Sequence, residues 1–334
     1  MKLVTYSETK NQSKTRPGLL WGKWILDLRD IPDLANRLDV KIPKRVAKLS
    51  ELSSTLDLIK SGEKSLEDLQ NFSWRFFNRV DPAKVPRTLK SSADIKLRCP
   101  IPPPPVLRDF YAFEQHVKAA RKKRGLDIPA EWYEFPAFYY SSPGKIYGPE
   151  DEVPRPSYTT ALDFELEIAC LLGKGGADIG KDEAESCVAG YTIMNDWSAR
   201  DIQQKEMKIG LGPAKAKDFA TSLGPWIVTP DELQDRLVGP GKFDLKMVAR
   251  VNGKQLSDSN MNTIHWTFPE MISRASEGVE LHAGEVFGSG TVGTGSILEL
   301  GEEVHRWLLP GDLVELEIER LGTLRNRIIA TPKS

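Results

Sequence analysis

The sequence predicts an α+β protein that is rich in β-strands. From Thr159 to Leu172, acidic and apolar residues alternate with period two, which is the spacing of side chains on a strand. Residues 310–319 alternate in the same way, and Asn252-Gly253 is a strong hairpin signal between two further strands. The most sustained helical spacing lies before residue 78, where leucines and phenylalanines recur every three or four positions.

Composition excludes several classes of function. The net charge is -1, which gives no support to a nucleic-acid or anionic-membrane partner. No stretch approaches the roughly 20 apolar residues that span a bilayer, and the N-terminus lacks the apolar core of a signal peptide. The three cysteines are scattered without CxxC spacing, and this pattern is typical of cysteines that stay reduced. We therefore expect a cytoplasmic protein without nucleic-acid or membrane partners.

The first hundred residues are predicted to form a small unit of their own. Three short strands, at 2–6, 17–21 and 23–28, precede a helical pattern that runs to about Phe77. Pro100 to Pro105 is then a stiff connector that cannot be helical. We expect an N-terminal α+β cap or packing domain over residues 1–99 and a larger domain over residues 100–334.

The acidic strand is the first candidate site. Period two places Asp163, Glu165 and Glu167 on one face, where three like charges repel each other. A hard divalent metal suits closely spaced carboxylate oxygens and would compensate them. The alternative is a solvated face with lysine or arginine partners.

A second candidate lies where a buried strand meets a helix. Ser198 and Asp201 have the spacing of a capping box, which predicts that a helix begins there with Arg200 and Gln203 on one side. Asp196 ends the preceding strand, so a carboxylate, a guanidinium and an amide are presented together. The alternative is an ordinary surface ion pair, which contributes little.

Three other segments are interpreted from pattern alone. Asp109 is predicted to cap a helix that contains His116, which by itself could be an ordinary surface histidine. Residues 135–156 are rich in turns and aromatic residues, and they are predicted to be a loop across an opening. The glycine-rich run at 287–296 lacks the P-loop lysine, but its backbone amides could cradle a carboxylate.

Taken in chain order, these motifs resemble the fumarylacetoacetate hydrolase family. The resemblance covers roughly residues 105–330 and rests on Asp-Phe-Glu-Leu-Glu at 163–167, Asn-Asp-Trp-Ser-Ala-Arg-Asp-Ile-Gln at 195–203, Ser-Gly-Thr at 289–291 and the Pro-Gly-Asp at 310–312. It implies a mixed β-roll for the larger domain and a homodimer. The first hundred residues do not look like the N-terminal domain of the animal enzyme, and the segment around Tyr139 is remodelled.

The resemblance also implies roles for individual residues. It implies Mg²⁺, or else Ca²⁺ or Mn²⁺, held by carboxylates that match Asp109, Glu165, Glu167 and Asp196, with Lys217 and Thr221 beside the ion. It implies a catalytic base at His116, an acid that orients this base at Glu299, and stabilisation of developing negative charge by Arg200, Gln203 and Lys217. Substrate contacts match Tyr111, Tyr139 and Thr291, and Arg124 matches after a one-residue shift.

The implied activity is hydrolysis of a carbon–carbon bond in a β-diketone or an acylpyruvate-type 2-oxo acid. A water activated by the base would attack one carbonyl, and the metal would stabilise the enolate that leaves. The alternatives are a hydratase, isomerase or decarboxylase of a 2-oxo acid in the same superfamily. A third possibility is a non-catalytic carboxylate-binding protein of the same fold.

Overall fold

The computed structural model describes residues 1–9, 11–37, 39–79 and 89–331. In these ranges, a 12-stranded sheet forms the centre of the fold. Ten of its strands follow one path, in the order β4-β3-β2-β1-β14-β12-β11-β19-β6-β7, while β5 pairs with β1 and β8 with β14. The bounds are β1 Lys2–Glu8, β2 Asn11–Trp21, β3 Trp24–Asp27, β4 Leu89–Ser91, β5 Ile95–Arg98, β6 Leu107–Phe110, β7 Phe138–Ser141, β8 Ile146–Tyr147, β11 Leu166–Leu172, β12 Val188–Asp196, β14 Thr221–Val228 and β19 Val286–Gly288.

A second sheet packs its apolar face toward the first. Among the described residues it has five strands in the order β18-β17-β20-β21-β9, and two further sheets, β10-β13 and β15-β16, have two strands each. The alternation that predicted the C-terminal strand is observed, because Val314, Leu316 and Ile318 are buried. The bounds are β9 Glu152–Arg155, β10 Leu162–Asp163, β13 Ser198–Ala199, β15 Leu237–Gly239, β16 Lys242–Phe243, β17 Lys246–Val251, β18 Lys254–Asn260, β20 Leu313–Ile318 and β21 Gly322–Ala330.

Helices flank the sheets rather than forming the centre. The predicted helical stretch before residue 78 consists of four helices, the longest of which buries Leu69, Phe72 and Phe76 on one face. These side chains pack in one apolar cluster with Leu171 and Leu223 from the large sheet. The helix bounds are α1 Ile31–Arg37, α2 Lys44–Lys48, α3 Thr55–Lys60, α4 Glu63–Phe77, α5 Glu114–Lys122, α6 Lys181–Ala184, α7 Arg200–Ile209, α8 Phe268–Ser276 and α9 Ile297–Leu300.

The N-terminal segment shares the large sheet with the rest of the chain. Lys2 and Leu3 of β1 pair with Val228 and Ile227 of β14. The sheet therefore continues across the connector at 100–105, and the division at residue 99 stays a prediction. The structure contains no helix that is long and apolar enough to cross a membrane, among the residues it describes. A cytoplasmic location likewise stays a prediction.

Three local predictions were wrong. Asp109 lies in β6, not at a helix N-cap, because its strand pairs with β19 on one side and β7 on the other. Ser198 does not cap α7, since its hydroxyl donates to the carbonyl of Asp196 and Asp201 instead accepts from Thr159. The segment at 135–156, predicted to be a loop, contains β7 at one edge of the large sheet, β8 beside β14, and β9 at one edge of the second sheet.

Candidate active site

Four buried carboxylates meet beside the large sheet, from β6, β11, the end of β12 and the short segment before β11, with β19 between β6 and β11. Asp109, Glu165, Glu167 and Asp196 each offer an oxygen, and these oxygens all lie within 4.8 Å of one another. Their residues are at most 5% exposed. Glu165 lies in the two-residue break between β10 and β11 and Glu167 lies in β11, and both side chains reach the same cluster, as the alternation in the sequence predicts.

Backbone geometry leaves room for this cluster. Gly288 pairs with Asp109 in the parallel register of β19 and β6, and a Cβ there would lie 2.5 Å from an Asp109 oxygen. Gly290 has a φ of +76°, and its N–H donates to Asp109 at 3.1 Å and to Glu167 at 3.2 Å. The glycine-rich run therefore cradles carboxylates of this chain itself.

Two buried cations offset part of the negative charge. The Lys217 ammonium donates to Glu165 and, at 2.6 Å, to Asp196. The Arg200 guanidinium donates at 2.8 Å to Glu165 and at 2.8 Å to Asp163, and at 2.9 Å to Gln203. Arg200 also forms an ion pair with Asp163, which lies outside the cluster. The four clustered carboxylates are therefore offset by fewer than two full positive charges.

The pKa values reflect this excess of negative charge. Burial, reinforced by the neighbouring Asp196, raises the pKa of Asp109 well above its usual range, and burial beside Asp109 does the same to Glu167. Burial also raises the pKa of Asp196, against the opposing effect of Lys217. Glu165 alone is shifted the other way, because Lys217 and Arg200 outweigh its burial and lower its pKa.

Unpaired oxygens in the cluster fit a hard cation. Within the described part of the chain, Glu167 Oε1, Asp196 Oδ1 and Thr221 Oγ1 are buried without a hydrogen-bond partner. Thr221 lies opposite Asp196 in the pairing of β14 with β12. Buried polar atoms normally have partners, and oxygen donors at this density suit Mg²⁺, Ca²⁺ or Mn²⁺. The donor set therefore fits a divalent ion, which the sequence suggested from one strand.

A histidine and a glutamate form a separate pair beside the cluster. His116, in the first turn of α5, is 4% exposed, and its Nδ1 bonds to Glu299 Oε1 on α9. The second oxygen of Glu299 accepts the backbone N–H of Thr294 at 2.9 Å. His116 lies close enough to Glu165 to contribute to lowering the pKa of that carboxyl. The two residues thus meet as the resemblance implies.

The residues expected to contact substrate are placed unequally. Tyr111 packs edge-on against His116, with ring centroids 5.5 Å apart, and burial raises its pKa to about 12. The Tyr139 hydroxyl donates to Asp196 and so touches the cluster directly. Thr291 is buried directly after Gly290. Arg124 is exposed and reaches this region only through its charge, which opposes the rise in the pKa of Tyr111.

Sequence reasoning missed the support around the site. Asp163, fully buried, accepts backbone N–H groups from Ile297 and Leu298 at the start of α9 as well as the Arg200 bond. Asn195 accepts the N–H of Glu165 at 2.9 Å. The period-two pattern predicts Asp163 on the same face as Glu165 and Glu167. It does not predict that Asp163 links two parts of the site, namely α9, which carries Glu299, and Arg200, which binds Glu165.

The β-rich α+β fold thus carries a buried candidate active site of carboxylates, cations and a histidine. The family model for the C-terminal domain of fumarylacetoacetate (FAA) hydrolase matches residues 105–329, more than half of the chain. The chain therefore belongs to this family of enzymes, as the motifs indicated. The predicted β-rich fold of the family is also confirmed.

Relatives in this family differ in their reactions. A 2,4-didehydro-3-deoxy-L-rhamnonate hydrolase of Sphingomonas sp. (strain SKA58) is 34% identical over 206 residues, 61% of this chain and 67% of that protein. The oxaloacetate tautomerase YisK of Bacillus subtilis (strain 168) is 32% identical over 242 residues, 71% of this chain and 74% of that protein. A maleylpyruvate hydrolase from Sphingobium sp. SYK-6, solved with manganese(II) and pyruvate, shares the fold with a TM-score of 0.67 at 19% identity, over 99% of this chain and 100% of that one.

Proposed function

We propose that this protein is a metal-dependent hydrolase that cleaves a carbon–carbon bond in an acylpyruvate-type 2-oxo acid or a related β-diketone. The observation that carries the proposal is the buried His116–Glu299 pair beside the carboxylate cluster. Hydrolysis requires a positioned base for water, and a histidine oriented by a carboxylate is such a base. A site that only bound carboxylates would have no use for it.

Asp109, Glu165, Glu167 and Asp196 would hold the divalent ion, with Mg²⁺ as the first candidate and Ca²⁺ or Mn²⁺ as alternatives. Bound there, the ion would act as a Lewis acid toward the substrate's carbonyl oxygens. Support comes from the unpaired oxygens of Glu167, Asp196 and Thr221. The manganese(II) reported with the structurally similar maleylpyruvate hydrolase is consistent with this donor set.

His116 would carry the proton in this reaction. Because Nδ1 is bonded to Glu299, Nε2 is the ring nitrogen left to accept a proton from water. The hydroxide would add to the acyl carbonyl, the bond to the neighbouring carbon would break, and His116 would return its proton to the departing carbon. Glu299 would keep the imidazole in one orientation, since Thr294 fixes its other oxygen.

The remaining polar residues would bind and orient the substrate. Lys217, Arg200 and Gln203 would stabilise developing negative charge, and Lys217 and Arg200 already neutralise part of the cluster. Tyr111, Tyr139, Thr291 and Arg124 are the proposed substrate contacts. The position of Tyr111 against His116 supports its place in this set.

A tautomerase or isomerase of a 2-oxo acid is the second candidate. Its support is the 32% identity to an oxaloacetate tautomerase over most of the chain. In that reaction His116 would move a proton between carbon and oxygen, and no water would be consumed. Hydration and decarboxylation of a 2-oxo acid would begin with the same class of substrate bound at the same site, and they remain alternatives of the same kind.

A substrate panel separates these reactions. Acylpyruvates with different acyl groups, fumarylated diketones and enol-oxaloacetate would each be supplied with Mg²⁺ or with a chelator. Hydrolysis predicts metal-dependent loss of enol absorbance with stoichiometric release of pyruvate or the corresponding ketone. Metal-dependent loss of absorbance without fragmentation would instead establish the tautomerase.

We further propose a homodimer, as the family resemblance implies. The consecutive apolar residues Leu237 and Val238, 38% and 60% exposed in the larger predicted domain, support an uncovered apolar surface there. Light scattering at micromolar concentration should report about twice the chain mass of 37.4 kDa. A single chain mass would contradict the proposal.

A further inference from the structure

Glu206 makes an unusual set of contacts at the far end of α7. Its carboxylate accepts three consecutive backbone N–H groups, from Ala214 at 2.9 Å, Lys215 at 2.7 Å and Ala216 at 3.3 Å. A carboxylate that accepts several amides makes hydrogen bonds stronger than those between neutral groups. The side chain thereby ties the helix to the segment that directly precedes Lys217.

Lys217 depends on how this segment is held. It is 4% exposed and enters the cluster from a turn in which its own N–H bonds to the carbonyl of Ala214 at 3.1 Å. Other contacts also hold the turn: the Tyr158 hydroxyl donates to the carbonyl of Lys215, and the N–H of Ala199 donates to the carbonyl of Ala216. Lys215 and Asp218 form an ion pair within the segment itself, so Glu206 is the charged group that ties the turn to α7.

The chain between Glu206 and this turn has little support of its own. Gly210 and Gly212 adopt φ values of +83° and +93°, which favour glycine. Ile209 is 80% exposed and Leu211 is 89% exposed, so neither anchors the connection by packing. The order of the turn therefore rests on contacts at its far side, of which Glu206 provides three.

We propose that Glu206 is a positioning residue that holds the turn at 214–216 so that the Lys217 ammonium reaches Glu165 and Asp196. The effect on turnover rests on the proposed function, in which Lys217 takes part; the effect on the position of Lys217 does not. Glu206 itself touches none of the four clustered carboxylates, so its effect would pass through Lys217.

The placement of Lys217 can be measured without any substrate. Reductive methylation of the protein, followed by peptide mass spectrometry, reports the rate at which each lysine is modified. In the parent protein Lys217 should react slowly, whereas Lys181, which lies outside this turn with 63% of its side chain exposed, should react fast and serve as the internal reference. Glu206→Ala should accelerate modification of Lys217 by about 10- to 100-fold, the effect of losing hydrogen bonds to a charged group.

Two variants guard this measurement. Glu206→Gln keeps an oxygen acceptor of the same size and should give an intermediate rate, even if Glu206→Ala folds poorly. Gln204→Ala, at an exposed position on the same helix, should leave the Lys217 rate unchanged. Equal Lys217 rates in the parent and both Glu206 variants would overturn the proposal.

Turnover gives a second, independent test. Glu206→Ala should lower kcat by about 10- to 100-fold, as lost support around a metal site typically does. In a Lys217→Met background the same change should cost less than about twofold, because the group it positions is gone. Fully additive losses would overturn the inference. A parent protein with no turnover on any dicarbonyl would refute the proposed function, and the methylation result would still decide the role of Glu206.

Discussion

The two halves of the site are built differently. The carboxylate cluster comes from strand ends and from the segment between β10 and β11, and it holds more negative charge than its two cations offset. The His116–Glu299 pair comes from two helices, and each member satisfies the other. The comparison teaches that the cluster keeps buried oxygens without partners, which would suit an external cation, whereas His116 and Glu299 are partnered within the chain.

Removing one charge from the cluster should have the largest effect. Glu167→Gln keeps the shape of a side chain that is fully buried but withdraws one anionic donor. We expect divalent-ion binding to weaken strongly and turnover to fall on the order of 1000-fold, since Lewis-acid stabilisation is worth several kcal/mol. Titration calorimetry with Mg²⁺ and Mn²⁺ measures the first effect, and steady-state kinetics the second.

The matched control for that change is Asp33→Asn, which removes one carboxylate from a position where the side chain is 57% exposed. It should alter neither ion binding nor turnover. If Glu167→Gln bound the ion as tightly as the parent, the cluster would not be the metal site.

Removing His116 should affect the His116–Glu299 pair and leave the carboxylate cluster unchanged. His116→Ala should lose about 100-fold or more in turnover, the usual contribution of general base catalysis. The affinity for Mg²⁺ should stay within about twofold of the parent, since His116 is not among the clustered donors. His282→Ala, at an exposed site, is the control and should retain full activity.

Altering the residue that orients the base should have a smaller effect. In Glu299→Gln the imidazole remains and an amide oxygen can still accept the Thr294 N–H. We expect a loss of about tenfold in kcat, less than for His116→Ala. A loss equal to that of His116→Ala would mean that Glu299 does more than orient the ring.

The smallest effect concerns stability without metal. Folding takes up protons at Asp109 and Glu167, whose pKa values are raised, so the contribution of these two groups to the stability of the metal-free protein falls as pH rises above about 4, their ordinary pKa. Glu165 acts in the opposite sense, because its lowered pKa contributes stability above that value. Thermal melts from pH 5 to 8 should therefore show that Mg²⁺ raises Tm more at pH 8 than at pH 5. An equal increase in Tm at pH 5 and pH 8 would contradict the conclusion that the carboxylate cluster carries excess negative charge.

The sequence predicted these two regions to different degrees. Period two predicted Glu165 and Glu167 on one face, and both reach the cluster even though Glu165 lies in the break just before β11. The approach of Asp109 and His116 to that face depends on β6 pairing with β19, a contact between residues far apart in the chain. Those two residues could be placed only by resemblance to the family.

Local capping rules failed where tertiary contacts competed. Asp201 has the spacing of a capping partner for Ser198, but Thr159 and the N–H of Thr160 hold its carboxylate instead. The support given by Asp163 and Glu206 was not predicted, because most of it consists of bonds to backbone amides, which leave no pattern in the side chains.

The most direct test of the account is the fate of water oxygen during turnover. The Mg²⁺-loaded protein would be incubated with an accepted acylpyruvate in water enriched in ¹⁸O, and the products analysed by mass spectrometry. Hydrolysis by a His116-activated water predicts one ¹⁸O in the carboxylate released from the acyl group, and no label above background with His116→Ala over the same time. An intact substrate that only interconverts between its keto and enol forms would contradict the account and establish the tautomerase.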